Sequence, residues 1–336
     1  MSKQTRSLLI KLAGSALILL VLFRLIDIDP KEFTAILQEL DISYYLISLF
    51  GVVIVLAIKS LRWQQIIKNE GFYYSPQKAF GAYMASFTIG VITPGRIGEI
   101  ARLYYLRQDC DIDFLPSFRT IVTDRIFDLG VLVMLAIAGL FYYTGLLENN
   151  IYLAVIVGIA IFFIGLFLST LLIQFLKKST KLSKNQFLSF IDLSLKQAID
   201  LKSIKLWGIT LLAYLAFYGA LALIFLAVGI QLKIVDIALI FSVVSLATLL
   251  PISWAGFGTR EVSLVYLLSF YQVPAETAIT FSLLQFGAFF LFGGIIGLVF
   301  WLLMPISLEQ IKSDSRSLKQ MISRKKKSDT PLENKS

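Results

Sequence analysis

The sequence predicts an all-α polytopic membrane protein, and three observations carry that prediction. The chain is 57% hydrophobic and only 16% charged, with a mean hydropathy of +0.79, a balance that describes a polypeptide solvated mostly by lipid. Its apolar runs are long and continuous. Residues 151–175, 206–230 and 277–303 contain no Asp, Glu, Lys or Arg, and each exceeds the roughly 20 residues that a helix needs to cross a bilayer. Finally, two short segments, one in each half, interrupt the apolar pattern with glycine and charge. A closed barrel is the other way to satisfy every backbone group in hydrocarbon, but it needs alternating segments of about ten residues, which are missing here.

Six stretches have the length of full spans: 8–26, 42–61, 121–143, 151–175, 206–230 and 277–303. The first carries Lys11 and Arg24 and is followed by no small-residue cleavage pattern, so it is expected to be retained rather than removed as a signal peptide. Six crossings put both termini on one side, and the basic loops identify it as the cytoplasm. Those loops hold Lys3 and Arg6 before the first span, then Lys59, Arg62 and Lys68 at and after the end of the second. Seven lysines follow from Lys177 to Lys205, and Arg324 to Lys327 lie in the tail. The loops assigned outside are acidic or nearly uncharged, and Trp63, Trp207 and Trp301 fall near cytoplasmic ends, where amphipathic rings favour the headgroup layer. The expected organisation is one membrane-embedded domain, 1–304, and a polar basic cytoplasmic tail, 305–336, in a multi-pass protein of the plasma or inner membrane.

Residues 79–106 and 237–271 complete the fold. Each has a short apolar run, a Pro/Gly break with charges, and a second half-helix. As re-entrant or broken hairpins neither would change sides, so they would dip toward each other from opposite faces, the arrangement of an inverted repeat. The alternative is an ordinary span with a glycine kink in each place. Glu99 and Glu261 each follow a glycine closely, and Tyr104 and Tyr266 come five residues after them, which favours the hairpins.

The charges in these breaks are the candidate site. A charged side chain at bilayer depth costs roughly 2.5–3.5 kcal/mol on insertion scales, so it faces a partner, a cavity or a substrate path. Arg96, Glu99 and Arg102 are three residues apart and share a helix face, as do Asp124, Arg125 and Asp128 at the start of the next span. Internal ion pairs that lock helices together are one role for them. The other is a headgroup site in which Arg96, Arg102, Arg125 and Arg260 engage phosphate, for which guanidinium is suited, while Glu99, Asp124, Asp128 and Glu261 position the arginines. A half-helix starting after Pro94-Gly95 would add its positive dipole end, and Gly95, Gly98, Gly256 and Gly258 would permit close backbone approach or simple packing.

Other chemistry is poorly supplied. There is no histidine, and Cys110 is the only cysteine, which removes histidine bases, zinc clusters and intrachain disulfides together. No cofactor, metal, catalytic residue or nucleic-acid partner is expected. Asp109, Asp111 and Asp113 resemble the Asp-x-Asp of metal-dependent glycosyltransferases, but a solvated loop or helix cap is the preferred assignment. Residues 177–205, with Leu188, Phe190, Ile191 and Leu195 among the lysines, suit either a surface amphipathic helix or a solvated linker.

Three runs in this order resemble the transmembrane region of lysylphosphatidylglycerol synthases and the stand-alone, flippase-like membrane proteins grouped with it. They are Pro-Gly-Arg-x-Gly-Glu-x-x-Arg at Pro94 to Arg102, acidic-Arg-x-x-Asp at Asp124 to Asp128, and Gly-x-Gly-x-Arg-Glu at Gly256 to Glu261. Asp124 stands where Glu is expected, and the second break has its proline early, at Pro251. The resemblance covers residues 8–303 and implies a lipid-flipping module. Its cargo would be an anionic phospholipid or a polyprenyl-phosphate-linked intermediate, and its partner a cytoplasmic synthase or glycosyltransferase. Full-length synthases carry a soluble aminoacyl-transfer domain after the membrane part, and residues 305–336 are too few to form one, so an enzyme is not expected. The alternatives are a membrane scaffold for a lipid-linked glycosyltransferase or synthase, and a membrane-embedded transferase.

Overall fold

The computed structural model describes residues 30–146, 150–177, 186–200, 203–249 and 256–304, and every regular element among them is helical. The expected first span, 8–26, and the tail, 305–336, lie outside the described residues. A short helix, α1 (Pro30–Gln38), leads to α2 (Ile42–Asn69), which opens where the Asp41 side chain accepts the Ser43 N–H at 2.9 Å. Then come α3 (Pro76–Ile92), a 3-10 helix (Pro94–Ala101), α4 (Arg102–Cys110), α5 (Phe114–Tyr143) and α6 (Ile151–Lys177). The second half contains α7 (Gln186–Ile199), α8 (Ile204–Ala227), α9 (Ile234–Leu249) and α10 (Thr259–Ser269). It closes with α11 (Ala275–Phe286), a π-helical turn (Gly287–Phe292) and α12 (Gly293–Leu303).

Five stretches are long and apolar enough to cross a membrane: Ile42–Asn69, Phe114–Tyr143, Ile151–Phe175, Ile204–Ala227 and Ala275–Leu303. They coincide with the second to sixth expected spans. Helix α2 runs eight residues past the predicted end at Leu61, because polar Arg62, Gln64 and Gln65 find partners inside the protein and continue the helix instead of ending it.

Side-chain and backbone bonds settle the topology of the two broken regions. At the base of the first, Tyr74 donates to Asp109 Oδ2 at 2.8 Å and Lys78 to Asp109 Oδ1 at 2.9 Å. The chain therefore leaves along α3 and returns along the 3-10 helix and α4 to its starting level. In the second, Tyr271 at the end of α10 donates to Asp236 at the start of α9, 2.8 Å away. Both regions are hairpins rather than kinked spans. They start from opposite ends of the bundle, since α2 and α8 are antiparallel: the Asp41 N–H donates to the Ala227 carbonyl at 3.0 Å and Lys205 to Gln65 at 3.2 Å. Hairpin one follows the Asn69 end of α2 and hairpin two follows the Ala227 end of α8. Helix α5 joins the two levels, with Tyr143 at its far end 3.2 Å from Tyr271 at the base of hairpin two.

The packing of the hairpins is reciprocal. Helix α3 lies on α12, where Thr88 donates to the Gly294 carbonyl at 2.6 Å, and α9 lies on α5, where Gly139 faces Leu239 and Val243. Each hairpin thus leans on the long helix that follows the other one. Apolar burial behind this frame centres on Phe225, Phe241 and Phe281, with Phe225 and Phe281 stacked at 3.8 Å between centroids. Of the two alternatives for the basic stretch after α6, residues 186–199 form a helix, and α7 is docked rather than free. Ala198 and Leu195 pack with Ile66, Phe127 and Leu206, and Trp207 donates to the Ala198 carbonyl at 2.9 Å.

Small residues set the α3–α12 distance, since a side chain at Gly297 would run into the Met84 carbonyl and the Thr88 hydroxyl. Gly297→Ala is expected to destabilise the protein by about 1–3 kcal/mol through overpacking. Gly208→Ala meets nothing within 4 Å, and is expected to be neutral or to stabilise by up to about 1 kcal/mol through helix propensity. Unfolding midpoints in one detergent would show this order, and equal midpoints would refute it.

Candidate functional site

The return arm of hairpin one begins where Pro94, lacking an N–H, ends the α3 hydrogen-bond ladder and opens the 3-10 helix. Thr93 bridges the corner: its hydroxyl donates to the Ile89 carbonyl at 2.9 Å and accepts the Gly98 N–H at 2.8 Å. Gly98 lies so close to Ile89 that no Cβ fits, and a Cβ on Gly90 would be 2.6 Å from Glu99 Cγ. The paired glycines let the arm press against α3 and bury Glu99. A 3-10 helix turns once every three residues, so Glu99 and Arg102 fall on one edge, beside α5. The same register places position 96, whose side chain is outside the described residues.

Four helices meet at that edge. Arg62 of α2 is wholly buried and holds Asp124 Oδ1 with Nε at 2.8 Å and Nη2 at 2.7 Å. Its Nη1 donates to Asp128 at 2.9 Å and to Thr210 of α8 at 3.2 Å. Arg102 takes the other oxygen of Asp124, Nη1 to Oδ2 at 2.8 Å. Its guanidinium lies against the rings of Tyr83 at 4.9 Å and Trp63 at 5.4 Å. Lys59 pairs with Asp128 at 3.0 Å, over the Tyr214 ring at 5.2 Å. Arg125 pairs with Glu99 and lies 3.7 Å from Asp124 and 3.8 Å from Asp128. With 34% of its side chain exposed, it is the most accessible of the four cations. Among the described side chains the cluster holds four cations, Lys59, Arg62, Arg102 and Arg125, against three carboxylates, Glu99, Asp124 and Asp128.

Hairpin two carries a separate cluster. Gly256 and Gly258 have φ of +82° and +85°, a left-handed backbone that favours glycine. The turn they form sets Glu261 at the third position of α10, where its Oε2 accepts the Gly258 N–H at 2.6 Å. Glu261 Oε1 accepts from Arg260 Nη2 at 2.6 Å and from Ser282 of α11 at 2.6 Å. Arg260 Nε lies 2.7 Å from Ser282, and its guanidinium sits by Phe257 and Phe286 at 5.3 and 5.5 Å.

The structure therefore joins Glu99, Arg102, Asp124, Arg125 and Asp128 into one site but places Arg260 and Glu261 in another. It also corrects three assignments. Lys59 and Arg62 do not flank the cytoplasmic end of a span; they are the α2 contribution to the buried cluster. Trp63 is fully buried, donating to Thr120 at 3.1 Å, and is no headgroup anchor. The segment after Pro94-Gly95 is a 3-10 helix before it becomes α-helical. The spacing of Lys59 and Arg62, three residues apart with Trp63 next, was the available signal, hidden because basic residues are ordinary at span ends. Asp109, Asp111 and Asp113 diverge: Asp109 closes the base of hairpin one, Asp111 ends α4 in a left-handed conformation, and Asp113 precedes α5.

Five spanning helices, two hairpins entering from opposite ends and a buried ionic cluster define an integral, multi-pass helical membrane protein. The chain belongs to the family of the lysylphosphatidylglycerol synthase TM region, which matches residues 8–321. It is similar to a UPF0104 membrane protein of Methanocaldococcus jannaschii, 23% identical over 90% of this chain and 98% of that protein. A second UPF0104 membrane protein of that organism is 26% identical over 62% of this chain and 92% of its own length. Glycosyltransferase AglD of Haloferax volcanii is 26% identical over 34% of this chain and 17% of that protein. No solved structure matches the chain.

Removing one partner of a buried ion pair costs about 3–5 kcal/mol, because the other charge stays buried. Arg62→Met is expected to cost that much, and Arg62→Met with Asp124→Asn less than the sum of the two single changes. A double-mutant cycle on unfolding free energies checks this, and strict additivity would show that the two residues do not interact.

Proposed function

We propose that the protein moves an anionic lipid, either a phospholipid or a polyprenyl-phosphate-linked intermediate, between leaflets, and that the α2–α4–α5 cluster engages the headgroup. The supporting observation is its surplus of buried cations around a broken hairpin. A structural lock would be neutral, whereas this cluster keeps four cations against three carboxylates and leaves Arg125 partly exposed. Arg102 and Arg62 are held by Asp124, so an entering phosphate meets guanidinium groups that are already oriented. Arg125 exchanges Glu99 for the ligand. Arg96, whose side chain lies outside the described residues, is a further proposed headgroup contact. The acyl or prenyl chains stay in hydrocarbon, so the protein handles only the polar end.

The hairpins supply the two-sidedness that transport requires. Their opposite entry and reciprocal packing support an inverted repeat, in which α2, hairpin one and α5 correspond to α8, hairpin two and α11–α12. Lys68, Lys78, Arg119 and Lys205 lie at the end of the bundle from which hairpin one starts, against Lys31 and Lys233 at the other end. By the positive-inside rule the first face is cytoplasmic in a plasma membrane, with both termini on that side. Nothing in this reading breaks a covalent bond, so the chain acts as a carrier and not as an enzyme. The partial similarity to a glycosyltransferase supports a lipid-linked sugar as one cargo, and a cytoplasmic synthase or glycosyltransferase as a partner.

Labelled anionic phospholipid and polyprenyl phosphate in proteoliposomes test the reading directly. Wild-type protein is expected to speed leaflet exchange of at least one of them. Arg125→Gln should slow it by about tenfold or more, the loss of one charge-assisted hydrogen bond, with the fold checked by its unfolding midpoint, since Glu99 then keeps Arg102 at 3.9 Å as its partner. Exchange no faster than in protein-free vesicles, or unaffected by the substitution, would refute the proposal.

A further inference from the structure

We propose that the Arg260 cluster is a second, charge-neutral station that takes a hydroxyl-bearing part of a headgroup, distinct in chemistry from the cationic cluster on hairpin one. The proposal rests on the lipid-carrier reading and adds a selectivity to it. Arg260 and Glu261 cancel each other at 2.6 Å, and the second carboxylate oxygen is taken by the Gly258 N–H. The pair therefore offers no net charge to a phosphate. What it offers instead is unspent hydrogen-bonding capacity. Arg260 is 4% exposed and its Nη1 has no hydrogen-bond partner, and Gln285 of α11 is 8% exposed with an equally unpartnered carbonyl oxygen.

Both groups adjoin one face of α11. Gln285 follows Ser282 by three residues on α11, so both lie on one helix face, and Ser282 is the residue that Arg260 contacts at 2.7 Å. Phe286, next to Gln285, stands 5.5 Å from the same guanidinium. An unpaired buried donor and an unpaired buried acceptor each cost about 1–3 kcal/mol if nothing satisfies them. A hydroxyl group satisfies both, since it accepts from Arg260 and donates to Gln285. Phe257 and Phe286 pack against each other at 4.7 Å between centroids and flank the same guanidinium, which makes the surroundings of this pair apolar. The backbone gives a further sign of a site here. Immediately after Phe286 the helix widens into the π-turn Gly287–Phe292, a feature that occurs frequently at functional positions. The widening leaves the Leu284 carbonyl to accept from Tyr45 of α2 at 3.3 Å, with Gly287 giving the Tyr45 hydroxyl room.

Two short-chain lipids separate the possibilities, phosphatidylglycerol and phosphatidylmethanol, which carry the same single charge and differ in headgroup hydroxyls. Titrated into the purified full chain in detergent, wild-type protein should bind phosphatidylglycerol about tenfold more tightly, the effect of one or two buried hydrogen bonds. Gln285→Leu should bring that ratio close to one. This variant removes an unpartnered buried amide at similar volume, so a purely structural Gln285 would show only an unchanged or raised unfolding midpoint, with the ratio intact. Equal affinity of the wild type for the two lipids would overturn the neutral station and leave the anionic reading standing. No measurable binding of either lipid, against phosphatidylcholine as the reference, would bring down the neutral station and a phospholipid cargo together.

Discussion

One carboxylate holds the polar interior together. Asp124 stands in the middle of an apolar bundle, where an uncompensated charge would be untenable, and it is tolerated because Arg62 takes one oxygen and Arg102 the other. Those arginines come from α2 and from the return arm of hairpin one, so the bridge ties two separately formed elements to α5. Burial in a membrane protein gives little drive for helices to associate by hydrophobicity alone, since lipid is as apolar as a leucine side chain. Specific polar bridges and close backbone packing must supply the difference. Here the bridge sets the register and the glycines at positions 90, 98, 293 and 297 set the distance.

The hairpins follow from the same economy. Irregular backbone within a span is stable only where protein surrounds it, and each hairpin is covered by the long helix that follows its counterpart. At hairpin one the corner is closed by Thr93 and Pro94, and its 3-10 helix lies against α3 where Gly98 and Gly90 leave no room for a Cβ. At hairpin two a pair of left-handed glycines makes the turn. Different local chemistry thus reaches a similar shape from opposite ends of the bundle. The bases are closed alike, by a tyrosine and an aspartate with their order along the chain reversed: Tyr74 with Asp109, and Asp236 with Tyr271.

The two clusters divide their electrostatics unevenly. On hairpin one cations outnumber carboxylates among the described side chains, whereas on hairpin two one arginine meets one glutamate and the remaining capacity is for hydrogen bonds. On the proposed carrier reading, this difference suits a headgroup that has an anionic part and an uncharged polar part.

By itself the sequence determined the class, five of the spans now described, the existence of two broken hairpins and most members of the ionic site. Each depends on local pattern: uninterrupted apolar length marks a span, while glycine and proline beside charge in hydrocarbon mark a break. Tertiary structure alone decided which charges meet. Lys59 and Arg62 follow the pattern of a cytoplasmic flank until α2 is seen to continue to Asn69 and to face Asp124 and Asp128 of a helix more than sixty residues away. In the same way Arg260 shares its motif chemistry with Arg102, yet its partners are Glu261 and Ser282 rather than the carboxylates of α5. A one-dimensional pattern records the cost of a buried charge, but the partner that offsets that cost is chosen by how distant helices cross.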